Sequence, residues 1–225
     1  MNLLNSALNL LFPYKCPFCQ RILEEQGEAL CPECQKKLPW LLDNRAERKV
    51  DLTEGCLSPL AYRGEVPEAV HRYKFGGRQS YGRTFSTLMV QCLQDHGMTS
   101  FHLVTWAPLS KKRLRERGFD QAEILARGVG DQLSIPAVSL LEKVRHTQAQ
   151  SDLKEESRRR ANALNAYRLK PGAVVAGKSV LLVDDVVTSS ATLSECARVL
   201  LQAGAESVHC LTLAQAKTGE NHHKN

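Results

Sequence analysis

The chain has 225 residues, 43% of them hydrophobic, which excludes a disordered chain and leaves room for one ordinary domain plus a small one. No apolar run approaches the ~20 residues of a membrane-spanning helix. A formal net charge of +6 and a pI near 8.9 are compatible with an anionic ligand or nucleic acid without requiring either.

The opening residues, MNLLNSALNLLFPYKC, carry no basic leading segment and no small-residue cleavage site, and Pro13 and Cys16 follow the apolar stretch directly. They read as a short amphipathic helix rather than a signal peptide, so the expected location is the reducing cytoplasm. Next come Cys16-Pro-Phe-Cys19 and Cys31-Pro-Glu-Cys34, two CxxC pairs separated by eleven residues. Each pair presents two thiolates from one tight turn, and four thiolates make the closed tetrahedral site of structural zinc. Four protein ligands leave no open position, so a structural role is expected in preference to a catalytic one. Buried free thiols and disulfides are the competing accounts, and a reducing compartment disfavours the second. The intervening QRILEEQGEAL is long enough for a hairpin turning at Gly27. Cys56, Cys92, Cys196 and Cys210 are scattered and read as core packing.

Residues 44–51, NRAERKVD, look like a linker. The expected division is therefore residues 1–50 for the helix and four-cysteine module, 51–217 for the main domain and 218–225 for a polar tail, whose His222 and His223 are weak metal candidates. From residue 57 onward strands and helices alternate. Strands are predicted over 57–62, 103–106, 180–183 and 207–213. Helices are predicted over 66–75, 84–96, 120–133 and 191–203. Ala122, Leu125, Ala126, Val129 and Leu133 share one face of the third helix, and Gly204 signals the end of the fourth. This alternation predicts an α/β fold built on a parallel sheet flanked by helices.

The stretch 179–193, SVLLVDDVVTSSATL, carries the strongest chemistry. A buried-type strand ends in Asp184 and Asp185, and a hydroxyl-rich turn of Thr188, Ser189, Ser190, Ala191 and Thr192 opens a helix. Open α/β sheets bind ligands at the carboxyl ends of their strands, and a helix start presents free amides and a positive dipole end to a phosphate. Two carboxylates beside a phosphate cradle suit the vicinal hydroxyls of a ribose, so a sugar 5-phosphate satisfies both halves. Three further segments are cationic. In the first, Lys74 precedes Gly76 and Gly77, whose backbone freedom lets amides approach an anion; an ordinary helix stop is the bland account. In the second, residues 111–121, KKRLRERGFDQ, follow a strand end and offer Arg113, Arg115 and Arg117 to phosphates or a nucleic-acid backbone, unless they are solvated surface. In the third, residues 143–162 are polar, include Arg145 and Gln150, and suit a lid over the site.

Taken together, VLLVDDVVTSSATL, RLRERGFDQAEILA, RHTQAQSDL with RRRAN, and the CPFC and CPEC pairs resemble the ComF/GntX family over nearly the whole chain. That resemblance implies a zinc-ribbon module joined to a type I phosphoribosyltransferase-like domain. It implies that Asp184 and Asp185 bind the ribose hydroxyls of phosphoribosyl pyrophosphate (PRPP), brought with Mg²⁺, and that residues 188–192 hold its 5-phosphate. Lys74, Gly76 and Gly77 become the pyrophosphate loop, with Arg113, Arg115, Arg117, Arg145 and Gln150 over the site. The implied role is in DNA uptake, acting in the cytoplasm on incoming single-stranded DNA and with DNA-uptake proteins as partners. An active transferase working on a nucleobase-type acceptor, or a degenerate transferase serving as an adaptor, are the alternatives. The chain departs from the family pattern at three places. Ser190 stands where relatives carry glycine, and Trp106-Ala107-Pro108-Leu109 replaces PVPL. Asp120 replaces an asparagine, placing a carboxylate that opposes a nearby phosphate unless it is paired.

Overall fold

The structure, a computed structural model, describes residues 14–23, 29–144 and 164–217. The opening helix, the Gly27 turn, Arg145, Gln150 and the rest of 145–163, and the tail with His222 and His223 lie outside the described residues.

The first described element pairs Lys15 with Ile22 in a single bridge, and helix α1, Pro32–Lys37, is capped by the Cys31 thiol, which accepts from the Cys34 amide at 3.5 Å. The sheet follows. Strands β1 (Glu47–Arg48), β2 (Cys56–Leu57), β3 (Leu60–Ala61), β4 (Leu103–Trp106), β7 (Ser179–Val187) and β8 (Ser207–Gln215) make six strands in the order β1-β2-β8-β7-β4, with β3 also on β8. Every pairing is parallel except β1 on β2. A separate antiparallel pair joins β5 (Leu141–Lys143) to β6 (Tyr167–Leu169). The single strand expected over 57–62 is instead the pair β2 and β3. Pro59 between them has no amide hydrogen to give to a ladder. The presumed linker holds a 3₁₀ turn, Asp43–Arg45, and β1 itself, so part of it belongs to the sheet.

The helices are α2 (Val66–Phe75), α3 (Tyr81–Asp95), α4 (Lys111–Arg117), α5 (Gln121–Leu133) and α6 (Ala191–Gln202). They cover the two faces of the sheet because β7 and β8 are apolar on both sides, as strands of a buried parallel sheet must be. Leu181, Val183, Leu211 and Leu213 pack with α2, α3 and α5 around Tyr73, Phe85, Met89 and Leu125. Val180, Leu182, Val208 and Cys210 pack on the other face with α6 and with Leu141 and Tyr167 of the small β pair. Burying a side chain such as Leu181 or Leu182 contributes about 2 kcal/mol each. Cys56, Cys92, Cys196 and Cys210 are all buried, within 5% exposure, as core residues.

The cysteine module sits on α2 and α3. Phe18 packs its ring 5.7 Å from that of Phe85. Arg72 of α2 donates to the carbonyls of Pro17 and Phe18, both at 2.9 Å, and the Tyr81 hydroxyl donates to Gln20 Oε1 at 2.9 Å. Farther along, His96 lies between two carbonyls, Cys92 O at 2.7 Å from Nδ1 and Asp43 O at 3.1 Å from Nε2. A neutral imidazole has one N–H and satisfies one of them, whereas the imidazolium satisfies both. The two carbonyls, with Glu47 and Asp95 nearby, outweigh burial and hold His96 above its ordinary 6.5. A raised folded pKa stabilises the fold fully below pH 6.5, and that stability is lost as pH rises through the higher folded value. We expect the thermal midpoint to fall over that rise, and His96→Gln to flatten the slope; an unchanged slope refutes the bridge.

Candidate functional site

Strand β7 runs on through both carboxylates to Val187, whereas its neighbour β4 stops opposite Val183. Beyond Val183, β7 therefore has β8 on one side and no paired strand on the other among the described residues. Successive residues of a strand point to opposite faces. Asp185 follows Val183 to the α2 side, where Lys74 Nζ lies 2.9 and 2.8 Å from its two oxygens. The Asp185 side chain is buried, and its charge reaches Tyr62 and Tyr73 on that side. Asp184 lies on the other side, where its charge reaches Lys143, Tyr167 and Cys196. Its carboxylate accepts from the Asp185 amide at 2.8 Å. Burial, reinforced by the adjacent Asp185 charge, holds Asp184 well above the ordinary carboxylate value of 3.8.

Lys74 stands in the last turn of α2, and the helix stops at Gly76, whose amide donates to Arg72 O at 2.8 Å. A Cβ on Gly76 would lie 2.6 Å from that carbonyl, so only glycine fits; Gly77 follows at φ +63°. The bland account of the segment holds, since it is a glycine helix stop, and its lysine reaches the carboxylate at the end of β7. Arg117 of α4 lies near the carboxylates too, its guanidinium 4.8 Å over the Phe75 ring. Its Nη1 is buried and has no hydrogen-bond partner among the described residues. Burial and the Arg113 charge lower its pKa, opposed by Asp185. Arg113 and Arg115 are exposed; Arg115 Nε donates to Lys111 O at 3.4 Å within α4.

The turn from Thr188 to Thr192 is half exposed throughout and leads into α6. First-turn amides of a helix have no intrahelical acceptor, which leaves them open to an anion. Ser190 sits at the start of α6 with φ +62° and ψ −8°, and its side chain makes no capping hydrogen bond. This position does demand the left-handed conformation that glycine takes freely, and serine adopts it here at a cost. Ser190→Gly is therefore expected to raise unfolding free energy by about 0.5–1 kcal/mol. Chemical denaturation checks this, and a loss of stability would mean that the hydroxyl outweighs the backbone strain.

One residue that the sequence pattern does not single out holds the turn after β7. Arg48 of β1 donates through Nη2 to Thr188 O at 2.5 Å and through Nη1 to Ala216 O at 2.7 Å, tying the turn after β7 to the end of β8. Asp120 is not a loose charge. It caps α5, accepting from Ala122 N at 3.0 Å, Glu123 N at 3.4 Å and Leu109 N at 2.8 Å. Burial nonetheless raises its pKa against those three bonds. A cap at residue 120 is legible in the sequence, since Asp precedes an apolar-periodic helix.

The Sγ atoms of Cys16, Cys19, Cys31 and Cys34 all lie within 4.8 Å of one another, with Cys19 and Cys31 at 3.5 Å. Tetrahedral Zn–S bonds of about 2.3 Å imply S···S separations of roughly 3.8 Å, so the cluster fits the ion. All eight cysteines are free thiols. When bound, zinc supplies cross-linking of the two knuckles rather than chemistry, because its four positions are filled.

Residues 7–48 match the double zinc ribbon domain, and residues 114–225 match the phosphoribosyl transferase domain. The chain is 30% identical over 207 residues to "DNA utilization protein YhgH" of Salmonella typhimurium, covering 89% of each. It is 26% identical to "Competence protein F" of Haemophilus influenzae, covering 91% of this chain and 98% of that one. It is 29% identical to "Competence protein ComFC" of Streptococcus pneumoniae, covering 89% of this chain and 87% of the other. No helix among the described residues is long and apolar enough to cross a membrane. With a four-cysteine zinc-ribbon module packed on a parallel-sheet domain that matches phosphoribosyl transferase over residues 114–225, and with a relative 30% identical over 89% of its length, the chain belongs to the ComF/GntX family.

Proposed function

We propose that the protein binds PRPP with Mg²⁺ in the cleft beyond β4 and acts on incoming single-stranded DNA during DNA uptake, in the cytoplasm. The observation that carries the PRPP reading is the contact between Lys74 and Asp185, 2.8–2.9 Å long. It brings the helix end that carries Gly76 and Gly77 to Asp185, three residues before the turn of Thr188, Ser189, Ser190, Ala191 and Thr192. A ligand carrying a phosphate, a ribose and a pyrophosphate meets matching groups in that order. Asp184 and Asp185 offer the oxygen donors that suit Mg²⁺ and ribose hydroxyls.

Helix α4 supports the DNA part of the reading. Lys111, Lys112, Arg113 and Arg115 are exposed on it, and Phe75, 60% exposed, lies under Arg117 at the same rim. A cationic track beside an aromatic face suits an unpaired strand. The competence and DNA-utilization names of the relatives agree with it. Titration of the full-length protein with PRPP and Mg²⁺ is expected to show saturable binding near one site per chain. A gel shift of single-stranded DNA is expected to weaken steeply with salt, and to weaken further in Arg113→Ala with Arg115→Ala. Absence of heat at millimolar PRPP overturns the first half, and absence of a shift at low salt overturns the second.

A further inference from the structure

The second wall of the cleft holds a group that nothing above assigns. Lys143 ends β5 and is paired in register with Tyr167 of β6. Its Nζ donates to the Tyr167 hydroxyl at 3.0 Å and lies 4.8 Å from the centroid of that ring. The side chain is half-buried, and no carboxylate lies within ion-pair distance among the described residues. Tyr167 is 5% exposed and packs with Leu193 and Cys196 of α6. Thr192, in the turn of residues 188–192, lies near enough to oppose the rise that burial gives the Tyr167 pKa. Arg113 approaches from α4, and its like charge joins burial in lowering the lysine's pKa, while Asp184 raises it.

A half-buried cation that pairs with no carboxylate among the described residues, with a second cation beside it and only the more distant Asp184 opposing it, is a costly arrangement for the unliganded protein. An incoming anion relieves that cost. The turn of residues 188–192 lies next to it through Tyr167 and Thr192, whereas the glycine segment lies on the opposite, Asp185 side of β7. We propose that Lys143, positioned by Tyr167 and assisted by Arg113, is a specificity-determining contact for the terminal phosphate monoester of the ribose ligand. Lys74 serves the pyrophosphate end. The proposal rests on the PRPP reading and goes beyond it by assigning one phosphate to one wall.

The test compares ribose 5-phosphate and PRPP, each titrated with Mg²⁺ into full-length wild type, Lys143→Met and Lys143→Arg. Lys143→Met is expected to weaken ribose 5-phosphate binding about tenfold or more, and PRPP by the same factor. Lys143→Arg keeps the charge and is expected to restore most of it. The methionine variant is expected to fold at least as well as wild type, because an apolar chain replaces a half-buried cation; its unliganded melting curve reads this directly. Should it fail to fold, Tyr167→Phe, which frees the ammonium from its hydroxyl partner, is expected to weaken both ligands equally. Wild type that binds both ligands while Lys143→Met binds them equally well refutes the assignment alone. A loss confined to PRPP also refutes it and moves Lys143 to the pyrophosphate end. Wild type that binds neither ligand refutes the PRPP reading, and the assignment with it.

Discussion

Replacing Asp184 and Asp185 together with asparagine is expected to lower PRPP affinity about a hundredfold or more, because two charge-assisted contacts and the Mg²⁺ donors are lost at once. The single variants are expected to differ. Asp185→Asn leaves Lys74 without the carboxylate that holds it at 2.8–2.9 Å, so both the loop position and the donor are lost. Asp184→Asn removes a group whose folded pKa is raised by burial and by Asp185. The unfolded chain releases that proton near 3.8, before the native state does, so the buried charge costs stability as pH rises above 3.8 toward the folded value. Asp184→Asn should therefore raise the melting temperature at neutral pH while weakening PRPP binding. A residue kept for packing alone would not separate those two readouts. PRPP affinity in wild type should also rise with pH over the same window, as Asp184 ionises to meet the metal. If the double variant binds PRPP as wild type does, the carboxylates are not the ribose grip.

Removing zinc is expected to be the largest perturbation of the fold. The thiolates of Cys16, Cys19, Cys31 and Cys34 are the only four-residue cysteine cluster among the described residues, so metal analysis should return one zinc per chain. Structural zinc sites contribute on the order of 10 kcal/mol to the peptides that they fold. Cys31→Ser breaks the site and also removes the thiol that caps α1. The consequences should reach the main domain, since Arg72 donates to Pro17 O and Phe18 O from the helix that carries Lys74. We expect chelation to lower the melting temperature by many degrees and to weaken PRPP binding measurably. A zinc content near zero in protein purified without added metal would refute the four-thiolate site.

The strands 103–106, 180–183 and 207–213 and the helices 66–75, 84–96, 120–133 and 191–203 were legible because their signals are local, whereas the helix 111–117 and the short strands 47–48, 141–143 and 167–169 were not. Val180 to Val183 is an unbroken apolar run, Gly204 follows a periodic helix, and each CxxC pair is complete within four residues. The break at Pro59 was equally local but was outweighed by the apolar residues on either side. The contacts that make the cleft are of another kind. Lys74 and Asp185 are 111 residues apart, Arg48 and Thr188 are 140 apart, and Lys143 and Tyr167 are separated by 24. No periodicity reports such pairs, because a side chain's partner across the sheet depends on how the strands are ordered.

By itself, then, the sequence determined the architecture, the zinc ligands and the place of the carboxylates at the end of a strand, all set by patterns within a few residues. The tertiary structure alone decided that Asp184 and Asp185 face opposite walls, that Lys74 meets only one of them, and that Ser190 must hold a positive φ. The physical reason is that β7 outruns β4. Beyond Val183 the strand loses a neighbour, and its alternation carries Asp184 and Asp185 to opposite faces before lapsing at Val186, which packs on the α2 side while Val187 packs on the other.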